Sequence, residues 1–165
     1  MRIGSDSSPL ITLSKIGYLG LLPDLFHVVT ITPEVYGEVV VTGEGLAGAA
    51  QILGADWIRV HAVSSSFSLS KAGSIHGLGI GELSAITLCR ELNADLLLVD
   101  DRQARKLARE VGLSMAGCVG LLREGFVRNL VPDLSAAYRH LLAAGARVDR
   151  RLLESVLKDL RLPPL

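Results

Sequence analysis

Several features are scarce in this chain of 165 residues, and each scarcity excludes a class of protein. The two cysteines, Cys89 and Cys118, have no CxxC spacing and no histidine cluster around them, which argues against a zinc site and a disulfide scaffold. The 17 basic residues balance the 17 acidic ones, so any binding of nucleic acid must be local. No apolar run approaches the roughly 18–20 residues that cross a bilayer, and the chain reaches Asp6 before a signal segment could form. We therefore expect a cytoplasmic protein.

The rest of the composition predicts one α/β domain that spans 1–165. A chain of this length with 49% hydrophobic residues can bury a core of its own. Short apolar segments alternate with helical patterns, which is typical of a mostly parallel sheet, here of four or five strands. The predicted strands are 2–6, 27–31, 57–63, 94–101 and 114–118. An irregular loop is predicted over 64–79, and several further helices over 119–165.

Capping signals mark where the predicted helices begin. The predicted starts are Ser7 or Ser8, Thr32, Glu82 and Asp101. Proline in the first turn, at Pro9 and Pro33, supports the first two of these starts. The first helix is predicted to extend over 8–26, and the last of the four to stop at Gly112.

Carboxylates follow the ends of the predicted strands. Asp6 ends the first strand, and Asp100 and Asp101 end the fourth. The carboxyl ends of parallel strands meet at one edge of a sheet, and Glu38 and Glu82 stand in helices that adjoin this edge. Such a group of like charges repels itself unless a hard cation occupies its centre, and Mg²⁺ or Mn²⁺ prefers oxygen ligands. The pattern predicts a metal site that activates water against a phosphodiester.

The acidic residues and the glycines each allow a second interpretation. A carboxylate in the first turn of a helix also interacts favourably with the helix dipole, which accounts for Asp6, Glu82 and Asp101 without catalysis. Residues 43–48 fit GxGxxG, the pattern of a dinucleotide site. The acid that such a site needs about 20 residues later is missing from HAVSSS, so we interpret 43–48 as a turn that follows the end of a helix.

Four stretches of the chain together resemble one known family. They are SDSSPLITLSKIGYLGLL, TPEVYGEV, GIGELSAITLCRELNADLLLVDDRQARKLARE and GCVGLLREGFVRNLVPDLSAAYRHLLAAGARVDRRLLESVL. This sequence is similar to PIN-domain proteins, and most similar to a prokaryotic, nucleic-acid-binding branch of that family. The resemblance implies a PIN-like α/β/α three-layer sandwich with extra C-terminal helices. It also implies a metal-dependent nuclease, commonly an endoribonuclease and often the toxin of a type II toxin–antitoxin pair.

The same resemblance implies which residues form the site. By this resemblance the acidic residues are Asp6, Glu38, Glu82 and either Asp100 or Asp101. Ser8 matches a small polar residue two positions after the first aspartate. The family at large mostly has aspartate where Glu82 stands, although this branch commonly has Glu. The threonine found two residues before the last aspartate is absent, so the choice between Asp100 and Asp101 stays open.

We predict a catalytic site built from these residues. The predicted metal ligands are Asp6, Glu82 and Asp100 or Asp101. Glu38 is predicted to bind the ion directly or through water, or to orient the attacking water. Ser8 and Arg102 are predicted to contact an RNA substrate. Arg102 begins a basic helix face that continues through Arg105, Lys106 and Arg109, and an ordinary solvated face explains that pattern equally well.

The remaining expectations concern partners and isolated residues. The segment 39–54 is apolar for a surface, which favours a homodimer and contact with an antitoxin protein. The alternative to an enzyme is a non-catalytic PIN-fold module that binds RNA or a protein. Cys89 is predicted to be a core residue, and His76 is the one histidine placed in a loop that could approach the substrate groove.

Overall fold

A five-stranded, all-parallel sheet forms the centre of the protein. The computed structural model describes residues 1–41, 47–64, 74 and 76–165. The strands are β1 (Ile3–Ser5), β2 (Val29–Ile31), β3 (Ile58–Val60), β4 (Leu96–Leu98) and β5 (Met115–Ala116). They lie in the order β3-β2-β1-β4-β5, and every pair of neighbours is parallel. The prediction of a mostly parallel sheet of four or five strands is confirmed.

Helices flank the sheet and make up most of the described chain. They are α1 (Ser7–Lys15), α2 (Leu21–Phe26), α3 (Pro33–Tyr36), α4 (Ala47–Leu53), α5 (Ile80–Glu91), α6 (Arg102–Glu110), α7 (Cys118–Val127), α8 (Leu134–Ala143) and α9 (Arg150–Asp159). One π-helical turn, Gly37–Val41, continues directly from α3. The PIN-like α/β/α architecture is thus confirmed, with α7, α8 and α9 as the C-terminal helices. None of the helices in the described ranges has the length and apolarity needed to cross a membrane.

The two inner strands fix where the acidic residues emerge. Strand β1 is buried along its whole length, and Leu97 and Leu98 of β4 are buried beside it. The register pairs Ser5 with Leu98, so β1 and β4 end side by side. The amide of Asp6 continues this pairing by donating to the carbonyl of Leu98 at 3.0 Å. The chain therefore leaves both strands at the same edge of the sheet.

The helix boundaries correct two details of the sequence prediction. Asp6, and not Ser7 or Ser8, is the residue that precedes the first helical residue of α1. The predicted helix over 8–26 is two helices, because Gly17 has a left-handed φ of 78° that breaks the helical path. Helix α5 begins at Ile80, near the predicted start, and Glu82 lies in its first turn.

Other local predictions are confirmed. Thr32 caps α3, since its hydroxyl oxygen accepts a hydrogen bond from the amide of Val35 at 3.1 Å. Gly112 follows the end of α6 with φ of 79°, as expected of a helix stop. Residues 42–46 lie outside the described ranges, and so do 65–73 and 75. The predicted turn at 43–48 and the predicted loop at 64–79 therefore fall largely outside the described residues.

A close approach between β1 and α5 holds the sheet and this helix together. Cys89 is fully buried, as predicted for a core residue, and burial raises the pKa of its thiol to about 12. Its sulfur lies against the backbone of Gly4, and a Cβ added at Gly4 would overlap it. Only glycine at position 4 lets this helix pack so near to the middle strand.

We expect Gly4→Ala to destabilise the protein by about 1–3 kcal/mol, because the added methyl group overpacks the contact with Cys89. Cys89→Ala removes the sulfur and leaves room for that methyl group. The double variant Gly4→Ala/Cys89→Ala should therefore be more stable than the sum of the two single effects predicts, by about 0.5 kcal/mol or more. Urea denaturation of the four proteins measures this coupling. Additive effects would show that the two residues are not in contact.

Candidate active site

Asp6 is the most deeply buried acid in the described part of the chain. It follows β1 directly, and only 2% of its surface is exposed. The hydroxyl of Ser8 donates to Asp6 Oδ2 at 3.2 Å, and the hydroxyl of Ser7 lies 3.5 Å from Oδ1. Burial raises the pKa of Asp6 to about 6, and the negative charges of Glu82 and Glu38 add to this effect. A buried, charged carboxylate with two acidic neighbours lowers the free energy of unfolding, so packing and stability alone do not explain its position.

Glu82 reaches the same region from the first turn of α5. The amide of Gly79 donates to Glu82 Oε2, so this carboxylate closes the amino end of the helix. Burial raises the pKa of Glu82, and the negative charges of Asp101 and Glu38 raise it further. Glu82 therefore has a structural role at the helix end, and it also lies within electrostatic reach of the other acids.

The π-helical turn after α3 carries Glu38 to the amino end of α5. The carboxylate of Glu38 lies against Gly81, where an added Cβ would overlap both of its oxygens. Two buried hydroxyls join the same elements: Thr32 and Ser84 are hydrogen-bonded at 2.7 Å, and Ser84 donates to the carbonyl of Gly81 at 2.8 Å. Glycine at position 81 thus makes room for a second carboxylate beside Glu82.

The structure separates the roles of the two adjacent aspartates. Asp101 caps α6, since its Oδ1 accepts a hydrogen bond from the amide of Ala104 at 2.8 Å, and its charge acts on Glu82. Asp100 instead accepts two hydrogen bonds from Cys118: one from the amide at 2.8 Å and one from the thiol at 2.9 Å. Asp101 therefore acts on Glu82 through its charge, whereas Asp100 is hydrogen-bonded to the start of α7.

Sequence reasoning missed the part played by Cys118. Burial raises the pKa of the Cys118 thiol, and the negative charge of Asp100 raises it further. The sulfur therefore stays protonated and donates a hydrogen bond to the Asp100 carboxylate. Asp100 also stays in contact with the acidic region, because its amide lies 3.4 Å from the hydroxyl of Ser8. No motif signals such a pair, since the two residues are 18 positions apart and belong to different elements.

Four carboxylates thus act on one another at the carboxyl edge of the sheet, and we call Asp6, Glu38, Glu82 and Asp101 the acidic cluster. In kind they fit a hard divalent cation: every donor is an oxygen, and a cation would stabilise the charged form of buried Asp6. Within residues 1–41, 47–64, 74 and 76–165, however, no three histidine, cysteine or acidic side chains are close enough together to hold a metal ion. The four carboxylates interact electrostatically, but they are not close enough together to coordinate one ion.

The other predicted residues lie at different distances from this cluster. Ser8 is part of it through its contact with Asp6. Arg102 is exposed at the first turn of α6, and Arg105 turns inward to donate to the carbonyl of Val99 at 2.9 Å. His76 contacts Glu110 at 3.0 Å. Glu110 is the last residue of α6 and Asp101 precedes the first, so His76 contacts the end of α6 that is remote from Asp101.

Comparison with known proteins identifies the family. A family model described as a PIN domain matches residues 2–161. The chain belongs to the PIN-domain family. A solved structure of a similar PIN protein, a PilT N-terminus domain protein from the hyperthermophilic archaeon Sulfolobus solfataricus P2, superposes with a TM-score of 0.55 and 23% sequence identity. The match covers 75% of this chain and 92% of the archaeal one, and it shows a common fold. None of the curated proteins compared with the chain matches it significantly.

Removal of the Asp6 charge should stabilise this PIN domain in the absence of metal. Folded Asp6 has a pKa of about 6 against 3.8 for the ordinary group, so folding loses stability as the pH rises from about 4 to about 6. We expect Asp6→Asn to raise the free energy of unfolding by about 2–3 kcal/mol above pH 6 in EDTA, and to give no gain near pH 4. Urea denaturation across this pH range measures the effect. Asp24→Asn, at an exposed site, is the control, and an equal gain at both pH values would contradict the explanation.

Displacement of Glu38 should be visible in the titration of Glu82. Gly81→Ala places a methyl group where the Glu38 carboxylate lies, so that carboxylate must move. We expect the pKa of Glu82 to fall, because a nearby negative charge that raises it is withdrawn. Carbon-detected NMR of the glutamate carboxyl groups measures this change. Gly20→Ala is the matched control, since nothing lies within 4 Å of an added Cβ there. An unchanged Glu82 pKa in Gly81→Ala would place Glu38 elsewhere.

Proposed function

We propose that this PIN domain is a divalent-metal-dependent endoribonuclease that hydrolyses RNA phosphodiesters with Mg²⁺ or Mn²⁺. PIN domains are in general nucleases that use divalent metals, and this supports the reaction class. The observation that carries the proposal for this chain is the burial of Asp6, 2% exposed, beside the charges of Glu38 and Glu82. An ordinary helix cap sits in solvent, where its charge costs little. Asp6 occupies the cap position of α1 but is buried, and the hydrogen bonds from the Ser7 amide and the Ser8 hydroxyl offset only part of the cost of that burial, since its pKa stays raised.

The proposal gives each acid a role. Asp6, Glu82 and Asp101 would hold the ion, and Glu38 would bind it directly or through water, or orient the attacking water. The bound ion supplies charge stabilisation and lowers the pKa of water. The hydroxyl of Ser8 positions the Asp6 carboxylate through a hydrogen bond. The amide of Gly79 fixes one oxygen of Glu82, and the amide of Ala104 fixes one oxygen of Asp101. Asp100 is a positioning residue in this scheme, since its oxygens are used by Cys118.

A non-catalytic PIN module that binds RNA or a protein is the second candidate. One observation favours it: the described residues contain no set of three side chains arranged to hold a metal ion. Mg²⁺ binds more weakly when fewer carboxylates coordinate it. A cluster that does not coordinate the ion would leave a protein that binds RNA or another protein but does not catalyse hydrolysis.

Regulation by a partner stays a prediction. A type II toxin binds an antitoxin protein, and a homodimer binds a second copy of the chain. Both contacts require an apolar surface on this protein. Val41 and Leu53, on either side of 42–46, are each 66% exposed and favour such a surface in the segment 39–54. A cytoplasmic location is likewise proposed from composition.

Calorimetric titration with Mn²⁺ tests the metal site without a known substrate. We expect saturable binding to the unsubstituted protein and a loss of about 100-fold or more in affinity in Asp6→Asn, because the most buried ligand loses its charge. Asp56→Asn, which removes an exposed acid outside the acidic cluster, should bind like the unsubstituted protein. Asp100→Asn should retain most of the affinity, whereas Asp101→Asn should lose it.

Cleavage is measured on end-labelled RNA and on DNA of the same sequence, with Mn²⁺ and with EDTA. Cutting of RNA that needs Mn²⁺ and disappears in Asp6→Asn supports the nuclease. Saturable Mn²⁺ binding without any cutting would contradict catalysis on these substrates. An unsubstituted protein that neither binds Mn²⁺ nor cuts RNA would favour the non-catalytic module.

A further inference from the structure

A groove with arginine side chains on its walls runs beside the acidic cluster. Its volume is about 440 Å³, and it lies at the β5 edge of the sheet between α6, α7 and α9. Three arginines line it: Arg105 of α6, Arg123 of α7, and Arg147, which precedes α9. The proposed cleavage reaction uses none of them. Arg123 and Arg147 are exposed, and neither forms an ion pair with any residue of the described ranges.

The acids that line the same groove do not neutralise these arginines by direct pairing. Asp100 and Asp149 are the two carboxylates in its wall. Asp100 accepts hydrogen bonds from Cys118, and Asp149 caps α9 by accepting a hydrogen bond from the amide of Arg151 at 2.9 Å. Each carboxylate is thus held by a helix end, where backbone amides partly offset its charge. The exposed guanidinium groups of Arg123 and Arg147 remain available to an anion from outside, whereas Arg105 donates to the carbonyl of Val99.

Apolar side chains also line the groove. They are Val119, Val148, Leu152 and Val156, and Leu152 is 51% exposed although it is a large hydrophobic residue. A lining that combines apolar and cationic side chains suits a ligand that has flat apolar faces and regularly spaced negative charges. The bases of a single RNA strand supply such faces, its phosphates supply the charges, and arginine also stacks on bases through its planar guanidinium.

A short series of contacts joins the groove to the acidic cluster. The hydroxyl of Ser8 donates a hydrogen bond to the Asp6 carboxylate. The same hydroxyl lies 3.4 Å from the amide of Asp100, and Asp100 lines the groove. Arg105, another groove residue, is bonded to the carbonyl of Val99 at the end of β4. Ser8 and Asp100 thus connect the groove with the acidic cluster.

We propose that this groove binds the phosphate backbone of the single-stranded RNA segment that flanks the cleaved phosphodiester, through Arg123 and Arg147. The inference rests on the proposed function for the identity of the nucleic acid. It assigns to the arginines a binding role that does not require a metal ion, so binding and cleavage are separable.

The test measures binding of a fluorescein-labelled oligouridylate by fluorescence anisotropy in EDTA, where no cleavage occurs. We expect Arg123→Gln/Arg147→Gln to bind about tenfold or more weakly at about 0.1 M salt. The slope of log K against log salt should fall by about 1.4, because each neutralised phosphate of a single strand contributes about 0.7 to it. The matched control is Arg59→Gln/Arg90→Gln, which removes the same charge from two exposed arginines that do not line the groove. It should keep the affinity and the slope.

Each outcome decides between the groove and its alternatives. Equal losses in both double variants would overturn the groove and leave only a general charge effect. No saturable binding by the unsubstituted protein would overturn it as well. Competition by polyglutamate at the same concentration of charge would assign the groove to an acidic polypeptide instead of RNA, and so would overturn the proposal.

Mn²⁺ titration separates this proposal from the nuclease. The groove variant should bind Mn²⁺ like the unsubstituted protein, since its substitutions lie outside the acidic cluster. Loss of RNA binding with Mn²⁺ binding intact supports the groove. Retained RNA binding by the groove variant, in a protein that cuts RNA with Mn²⁺, would overturn the groove and leave the nuclease standing.

Discussion

The burial of Asp6 between β1 and α1 is the constraint on which the rest of the site depends. A carboxylate that is 2% exposed is stable only if its surroundings supply hydrogen bonds, a counter-charge or a proton. The Ser7 amide and the Ser8 hydroxyl supply hydrogen bonds, but burial and, to a smaller extent, the charges of Glu82 and Glu38 still raise the pKa of Asp6. The fold therefore accepts a local loss of stability at neutral pH. Such a loss is typical of sites whose arrangement serves function more than folding.

The neighbours of Asp6 are held in place by ordinary structural devices. Glu82 closes the start of α5 with the Gly79 amide, and Asp101 caps α6. Each device fixes one carboxylate oxygen and orients the other. The dipole explanation of these acids and the metal explanation are thus compatible, because a helix end that binds a carboxylate also fixes its position. Asp6 occupies the cap position of α1, but the dipole explanation does not account for its burial.

Glycine decides two close contacts that no other residue allows. At Gly4 the backbone of the middle strand accepts the sulfur of Cys89, and at Gly81 the first turn of α5 accepts the carboxylate of Glu38. The first contact sets the distance between α5 and the sheet. The second then places Glu38 beside Glu82. The packing of the core and the geometry of the site are connected through the same helix.

The sheet, the starts of α3 and α6 and the edge at which the acids gather could be predicted from the amino-acid order, because they follow from apolar alternation, caps and the parallel connection of strands. The helix over 8–26 was predicted too long, since the sequence does not show that Gly17 adopts a left-handed conformation. Only tertiary contacts distinguish the surroundings of Asp100 from those of Asp101. Cys118, 18 residues away, draws one of two adjacent and chemically identical side chains towards α7, and such a contact leaves no local pattern. The arginine groove was likewise invisible in the chain, because its three cations come from three separate elements.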